Sequence, residues 1–360
     1  MKIAVFHNFM DNIGGAEMVG LTLAREFDAD FYTTNIDKDK ISKMGFENVN
    51  LVSIGSVPVN APFRQQAALR RFRHLDLRKK YDFYLIDGDW AMSGAVNNRP
   101  NLWYVHSPIR EIWDLYRYTR QHTVPWYGKY MFDAWVRYNR FLNRRYVASV
   151  NHIVCNSKNT QQRVKRYLKR DAVVINPPID TSLFRYGRNG DFWLSVNRLI
   201  THKRVDMQIR AFSKMPGERL VIVGSYEQSR HFRAYSDYIK SIKPHNVEIL
   251  SWVSREKLIQ LYAECKGFIT TSKDEDFGMA PVEAMASGKP VIAPNEGGYK
   301  ETVLQGTTGV LIDEINEDKL VEAIRQIGTS PQRYKDACLR RSQAFDTKKF
   351  VSKISEIIGR

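Results

Sequence analysis

Short apolar runs recur along the chain, separated by longer stretches in which apolar positions return every three or four residues. Runs of this kind read as strands buried on both faces, and the stretches between them as helices. In the first half the runs lie at 3–7, 29–34, 50–54, 82–86, 102–105, 152–155 and 172–175. In the second they lie at 192–196, 220–224, 247–252, 267–272, 291–294 and 308–313. Helical periodicity follows Gly15 through Phe27 and returns at 280–287, 316–327, 331–343 and 347–358. Strands alternating with helices predict a mainly parallel α/β sheet, whose ligands lie beyond the carboxyl ends of the strands. The series breaks at Asn176-Pro-Pro-Ile-Asp180, and Arg185–Asp191 (RYGRNGD) reads as a hinge or linker. The expectation is therefore two α/β domains, 1–180 and 181–345, with a last amphipathic helix in 346–360.

The length of 360 residues suits two domains, each with its own core. Hydrophobic residues at 43% and charged residues at 26% fit a soluble globular protein, and no apolar run approaches the roughly 18 residues that span a bilayer. The opening MKIAVFHNF is too short and strand-like for a signal peptide. Cys155, Cys265 and Cys338 are far apart and lack metal-ligand spacing, which suits reduced thiols in a cytoplasmic protein. The net charge of +16 is uneven: residues 51–170 hold 22 Lys+Arg against 7 Asp+Glu. Its densest pieces are Arg64–Lys80, Arg137–Arg145 and Arg163–Arg170, and Trp103, Trp113, Trp126 and Trp135 fall in the same region. Basic residues beside amphipathic aromatics suit an anionic membrane surface. Nucleic acid is the other partner for such charge, but no nucleic-acid-binding motif is visible; solvated helix faces are the third reading.

Candidate chemistry concentrates at 273–294, KDEDFGMAPVEAMASGKPVIAP. Glu275 precedes Phe277-Gly278, and Glu283 follows Pro281, eight positions after the first glutamate. The glycine lets backbone amides approach a ligand at a helix N-terminus, where an anion is favoured. A carboxylate in the loop and a second about one turn into the helix are then placed to accept sugar hydroxyls. Earlier, Gly14-Gly15-Ala16-Glu17 opens the first helix without the dinucleotide pattern G-x-G-x-x-G. Glu17 either touches substrate or favours the positive end of that helix. Asp87-Gly88-Asp89 and His106-Ser107-Pro108 follow strands, as does Asn197-Arg198, with Lys203 just ahead of a helix. Arg198 and Lys203 can converge on one anion, the arginine bidentately and the lysine as a point charge.

Taken with its flanks, E-x-F-G-x-x-x-x-E resembles the signature of the family 4 retaining glycosyltransferases, and the resemblance extends over nearly the whole chain. It implies a GT-B architecture, two facing Rossmann-like domains with an inter-domain cleft and a C-terminal helix returning to the first. It also implies a nucleotide-sugar donor as substrate, with no cofactor and no bound metal; Asp87 and Asp89 have metal-motif spacing but lie in the acceptor half. By the resemblance, His106, Glu275, Arg198 and Lys203 carry catalysis. The donor is held by Gly15, Arg198, Lys203, Gly224, Trp252, Val253, Glu275, Phe277, Gly278, Met279, Ala280 and Glu283. The acceptor side is Gly14, Gly15, Glu17, His106, Ser107 and Arg110. Asn197 and Arg204 stand where the family commonly has glycine. Residues 107–118, SPIREIWDLYRY, resemble a mannosyltransferase subgroup of surface-polysaccharide assembly, which implies GDP-mannose and a glycan or lipid-linked acceptor at the cytoplasmic membrane face. A UDP-hexose transferase of the same family, a sugar-nucleotide epimerase and a non-catalytic basic binding protein are the rival readings.

Overall fold

A computed structural model describes residues 1–12, 14–225, 230–251 and 253–359. The chain divides into two compact units, Met1–Pro178 with Phe350–Arg360, and Ile179–Lys349. Each unit is built on one sheet in which every pairing is parallel.

The first sheet has seven strands: β1 Ile3–Phe9, β2 Asp30–Thr34, β3 Leu51–Ser53, β4 Phe83–Ile86, β5 Asn101–Val105, β6 His152–Cys155 and β7 Val173–Val174, in the order β3-β2-β1-β4-β5-β6-β7. The second has six: β8 Phe192–Arg198, β9 Arg219–Ser225, β10 Val247–Leu250, β11 Phe268–Ile269, β12 Val291–Pro294 and β13 Gly309–Ile312, in the order β10-β9-β8-β11-β12-β13. In both, strand order reverses beside the first strand, at β1/β4 and at β8/β11. Such reversal points open a crevice at the carboxyl ends of the strands.

Each of the thirteen apolar runs contains a strand, and the central strands β1, β4 and β5 are buried over most or all of their length, which is why they read as continuous runs. β5 is buried along its whole length, with Trp103 at its centre, and Trp193 is fully buried near the start of β8. Burying an apolar side chain of this kind contributes about 1.5–3 kcal/mol. The C-terminal helix Thr347–Ile358 buries Phe350, Ile354 and Ile358, and Phe350 sets its ring edge-on to Tyr104 of β5 at 5.5 Å.

Three sequence readings change. β11 stops at Ile269 rather than Ser272, because the Thr271 hydroxyl turns to the carbonyls of Lys203 and Arg204. The helical stretch at 331–343 opens as a 3-10 turn at Pro331–Tyr334 before the helix Lys335–Ser342. Arg185–Asp191 is not a free linker. Gly187 and Gly190 donate to the carbonyls of Ala263 and Glu264, and the buried Lys289 ammonium binds the Asn189 side chain and the Gly187 carbonyl.

Candidate active site

In the first unit, β1 and β4 run side by side with Phe6 opposite Ile86, so the next residues of each strand, His7 and Asp87, emerge together. His7 Nδ1 lies 2.7 Å from Asp87 Oδ2, and His106, one residue past β5, sets its Nε2 2.8 Å from Asp87 Oδ1. One buried carboxylate thus holds two imidazoles. The other nitrogen of His7 lies 3.5 Å from Glu17 Oε1. Glu17 Oε2 in turn accepts from the backbone N–H of Gly14 at 2.8 Å. Glu17 thus caps the N-terminus of its helix through Gly14 and also faces His7.

Burial by itself would lower the His7 pKa, but hydrogen bonds to Asp87 and Glu17 and their charges raise it from 6.5 to about 10. His7 is therefore an imidazolium at neutral pH. Burial raises Asp87, and the charges and hydrogen bonds of His106 and His7 outweigh it, leaving the carboxylate below its ordinary range. Asp89 is different: burial dominates and raises it, although Asn8 donates to it at 2.7 Å. Gly20 admits Asp87, since a Cβ there would stand 2.6 Å from Asp87 Oδ2.

Beyond His106, Arg110 and Ser107 are linked through Asp114 and Arg163. Arg110 Nε donates to Asp114 Oδ2 at 3.0 Å, and the Arg163 guanidinium lies 3.9 Å from the same oxygen while reaching Ser107 Oγ at 3.2 Å. Gly15 is the exposed first residue of its helix, with Gly14 at the N-cap.

The aromatic cluster read from the sequence is divided by the fold. Trp103 and Trp113 belong to the core, and Trp135 is half-buried and stacked on Phe132 at 5.8 Å; Trp126 is exposed. The basic run 163–170 loses Arg163 to the interior in the same way.

In the second unit the site lies where β8 and β11 end. Arg198 closes β8, and the turn Thr201–Lys203 brings Lys203 Nζ to 2.6 Å from Glu275 Oε2. Burial raises the Glu275 pKa, but the Lys203 charge and hydrogen bond, with Ser272 and His202, overcome it and bring the carboxylate to about 2. Glu283 goes the other way: burial raises it, and the Tyr262 hydroxyl, donating at 2.7 Å, offsets this only in part. The two glutamates of the motif thus have separate partners and opposite electrostatics.

Gly278, at φ +87°, opens the helix Met279–Ala286, and Phe277 behind it is buried against Phe345. Met279 and Ala280 form the first turn of that helix, partly buried against the core. Around them fold residues 296–299. Gly298 N–H donates to the Glu275 carbonyl at 2.8 Å, and Gly297, at φ +59°, would place a Cβ 2.5 Å from that oxygen.

Arg204, where the family commonly has glycine, adopts φ +50°, a left-handed conformation that glycine enters freely and other residues at a cost of about 1–2 kcal/mol. Its side chain offsets the cost by donating to the Thr271 carbonyl at 2.6 Å and pairing with Glu296. Gly224 gives room to Leu199, whose Cγ would lie 2.6 Å from an added Cβ. Val253 packs at the edge of the core, and Trp252 lies outside the described residues.

The sequence singled out His106, Arg198, Lys203 and the two glutamates but passed over His7, Tyr262 and the positioning part of Asp87. A histidine ending one strand and an aspartate just past another were visible signals. Only the β1–β4 pairing makes them neighbours.

Comparison with known proteins bears on the whole chain. Residues 13–183 match the family described as Glycosyltransferase Family 4, and residues 184–340 match Glycosyl transferases group 1. An uncharacterized glycosyltransferase of Methanocaldococcus jannaschii is 25% identical over 216 residues, which cover 60% of this chain and 59% of the relative. The alpha-1,3/1,6-mannosyltransferase ALG2 of Candida glabrata is 26% identical over 302 residues, covering 66% and 62%. The chain thus spans about three fifths of the length of these relatives. Among solved structures, Anabaena HepE in complex with UDP and glucose superposes with a TM-score of 0.78 at 19% identity, over 100% of this chain and 99% of that one. At that identity the likeness speaks for the fold, which is GT-B.

Proposed function

Since the chain belongs to the family 4 glycosyltransferases and has their GT-B fold, we propose that it transfers a hexose, mannose from GDP-mannose, to a glycan or lipid-linked acceptor, with retention of configuration and without a metal ion. The observation that carries the proposal is the Lys203–Glu275 pair at the strand-order reversal of the second sheet, beside the Gly278 helix opening. Lys203 spends one of its three N–H groups on Glu275, and the remaining two serve a diphosphate. Arg198, Gly278 and the amides of Met279 and Ala280 complete a cationic, donor-rich surface for that anion. Glu275, ionised at any physiological pH, accepts from hydroxyls of the donor sugar. Glu283, with its raised pKa, takes the ribose. Gly224, Trp252, Val253 and Phe277 belong to the same donor side.

In the transfer itself the bond between the sugar carbon and the diphosphate oxygen breaks, and negative charge grows on the leaving group. Fixed cations stabilise that charge where it develops. The acceptor hydroxyl forms the new bond on the face the diphosphate leaves and gives its proton to the departing phosphate oxygen. His106 orients the sugar and acceptor together with Gly14, Gly15, Glu17, Ser107 and Arg110. Asp87, anchored on the other side by the His7 imidazolium, fixes which His106 nitrogen remains available. Asp87 and His7 are thus positioning residues.

The mannosyl reading draws on the ALG2 relatives. The structural likeness to HepE with UDP and glucose favours a second donor, a UDP-hexose. A thermal-shift panel of GDP, GDP-mannose, UDP, UDP-glucose and UDP-N-acetylglucosamine, with and without chelator, separates them. Stabilisation by GDP and GDP-mannose alone supports the mannosyl reading, and stabilisation by UDP compounds alone replaces the donor. No stabilisation by any of them overturns the diphosphate site. Loss of the shift on chelation overturns metal independence.

A further inference from the structure

One of the two acceptors proposed above is lipid-linked, and the first unit has a surface suited to meet a membrane; the docking face rests on that reading only for its purpose. Between residues 126 and 141 six large apolar or aromatic side chains, Trp126, Tyr127, Tyr130, Met131, Tyr138 and Phe141, are 57–84% exposed. A single exposed side chain of this kind is ordinary, whereas a contiguous group marks an interaction surface.

The helix Lys129–Val147 explains the grouping. Val136, Leu142, Asn143, Tyr146 and Val147 turn to the core, and Tyr130, Arg137, Phe141 and Arg145 lie on the outward side. The helix holds one acid, Asp133, which is already engaged by Arg120 Nε at 2.8 Å and the Tyr116 hydroxyl at 2.7 Å. The outward side is thus aromatic and cationic. Gln66 donates to Asn139 at 2.7 Å and ties in the neighbouring helix Phe63–His74, which adds the exposed Phe63 and Arg70.

On the inward side the same helix grips the segment that follows His106. Trp113 Nε1 donates to Asn143 at 3.1 Å, and Arg140 Nε donates to the Ile112 carbonyl at 2.7 Å. The exposed face and the acceptor-side segment are therefore parts of one packed element.

We propose that this face docks on an anionic phospholipid bilayer, with the helix Lys129–Val147 lying in the plane of the interface. Trp126, Tyr127, Tyr130 and Met131 enter the boundary between headgroups and acyl chains, and Arg137 and Arg145 meet lipid phosphates. A bilayer satisfies both halves of the surface, since amphipathic rings settle at the headgroup level and arginines keep their charge among the phosphates. A second copy of the chain would set these arginines against their equivalents with no free acid between them. Nucleic acid would satisfy the arginines and leave Met131 and Phe141 in water.

The test uses the full chain and vesicles of phosphatidylcholine with about 30% phosphatidylglycerol, beside vesicles of phosphatidylcholine alone. The wild type should co-sediment with the anionic vesicles at least tenfold better than with the neutral ones, and about 0.5 M salt should weaken the binding only in part, because the aromatic contribution is not screened. Tyr130→Ser with Met131→Ser, and separately Arg137→Glu with Arg145→Glu, should each reduce binding about tenfold or more. Brominated lipid should quench wild-type tryptophan fluorescence, and Trp126→Ser should remove most of that quenching. Equal binding to both vesicle types, or unchanged binding in both double variants, overturns the proposal. Binding to duplex or single-stranded nucleic acid that survives loss of the aromatics, without vesicle binding, reassigns the face to that partner. The thermal shift with donor nucleotides is read on the same variants and should stay at the wild-type value. A missing shift with intact vesicle binding sinks the transferase reading alone, and a normal shift without vesicle binding sinks the docking face alone.

Discussion

Replacing Asp87 by asparagine keeps the side chain's size and removes the charge that two imidazoles share. The consequence is a change in how stability depends on pH. His7 titrates at about 10 in the folded chain against 6.5 when unperturbed. Below 6.5 both states carry the proton and the contribution is whole. Above it the folded state holds one proton more than the unfolded one, so stability falls with rising pH by up to about 1.4 kcal/mol per pH unit, until it is lost near the folded pKa.

The groups facing His7, Asp87 and Glu17, both have lowered pKa values, so their contributions are complete above the ordinary carboxylate range and do not slope here. Lys289 acts in the opposite sense: burial lowers it from 10.5 to about 8, and stability gains as pH rises from there. Between 6.5 and 8 His7 should cost the wild type about 1.5 kcal/mol, and the difference in slope between wild type and variant isolates it from the other titrating groups. In Asp87→Asn, Glu17 at 3.5 Å is the negative charge left beside His7, so the His7 pKa drops and the slope flattens. Breaking the buried pair should also lower stability at neutral pH by about 3 kcal/mol. Urea midpoints of both proteins across the window measure both effects, and kcat for transfer should fall with little change in donor KM. Parallel pH slopes in wild type and variant would refute the assignment of the His7 proton to Asp87.

Lys203→Met and Glu275→Gln should each abolish most transfer and cost about 3–5 kcal/mol, with the double variant costing less than the two added; additive urea-derived costs would mean the pair contributes no coupling. Glu275 contributes stability above about 4.5 that is lost as pH falls toward about 2, and Lys203→Met should erase that acid-side loss in a pH series of urea midpoints. Gly297→Ala should cost more than about 2 kcal/mol and lower donor turnover, since φ is +59° and the Glu275 carbonyl stands 2.5 Å from the new Cβ. Gly306→Ala, at φ +72° with open space around it, should cost only about 1 kcal/mol, so equal thermal losses in the two variants would deny the close approach at Gly297. Tyr262→Phe removes the donor from Glu283, so the glutamate pKa should rise further and donor KM should climb at lower pH; a flat KM between about pH 5 and 8 would separate Glu283 from the donor.

By itself, the sequence determined what repeats locally. Buried parallel strands show as continuous apolar runs, and His152–Cys155 and Val291–Pro294 keep the boundaries those runs gave them. Gly278 announced a close backbone approach at a helix start, and the glutamates beside it announced hydrogen-bond acceptors, because both depend on neighbours within a few residues. The tertiary structure alone decided which distant groups meet. Strand pairing set His7 against Asp87 across 80 positions, and a turn brought Lys203 to Glu275 across 72. The same holds for which tryptophans face water. Trp113 and Trp126 have similar surroundings in the chain, but one is walled in by Asn143 and Tyr167 and the other stands clear. The physical reason is common to all three cases: pKa values and exposure are set by what packs around a side chain, and the packing partners come from strand order, which no local pattern encodes.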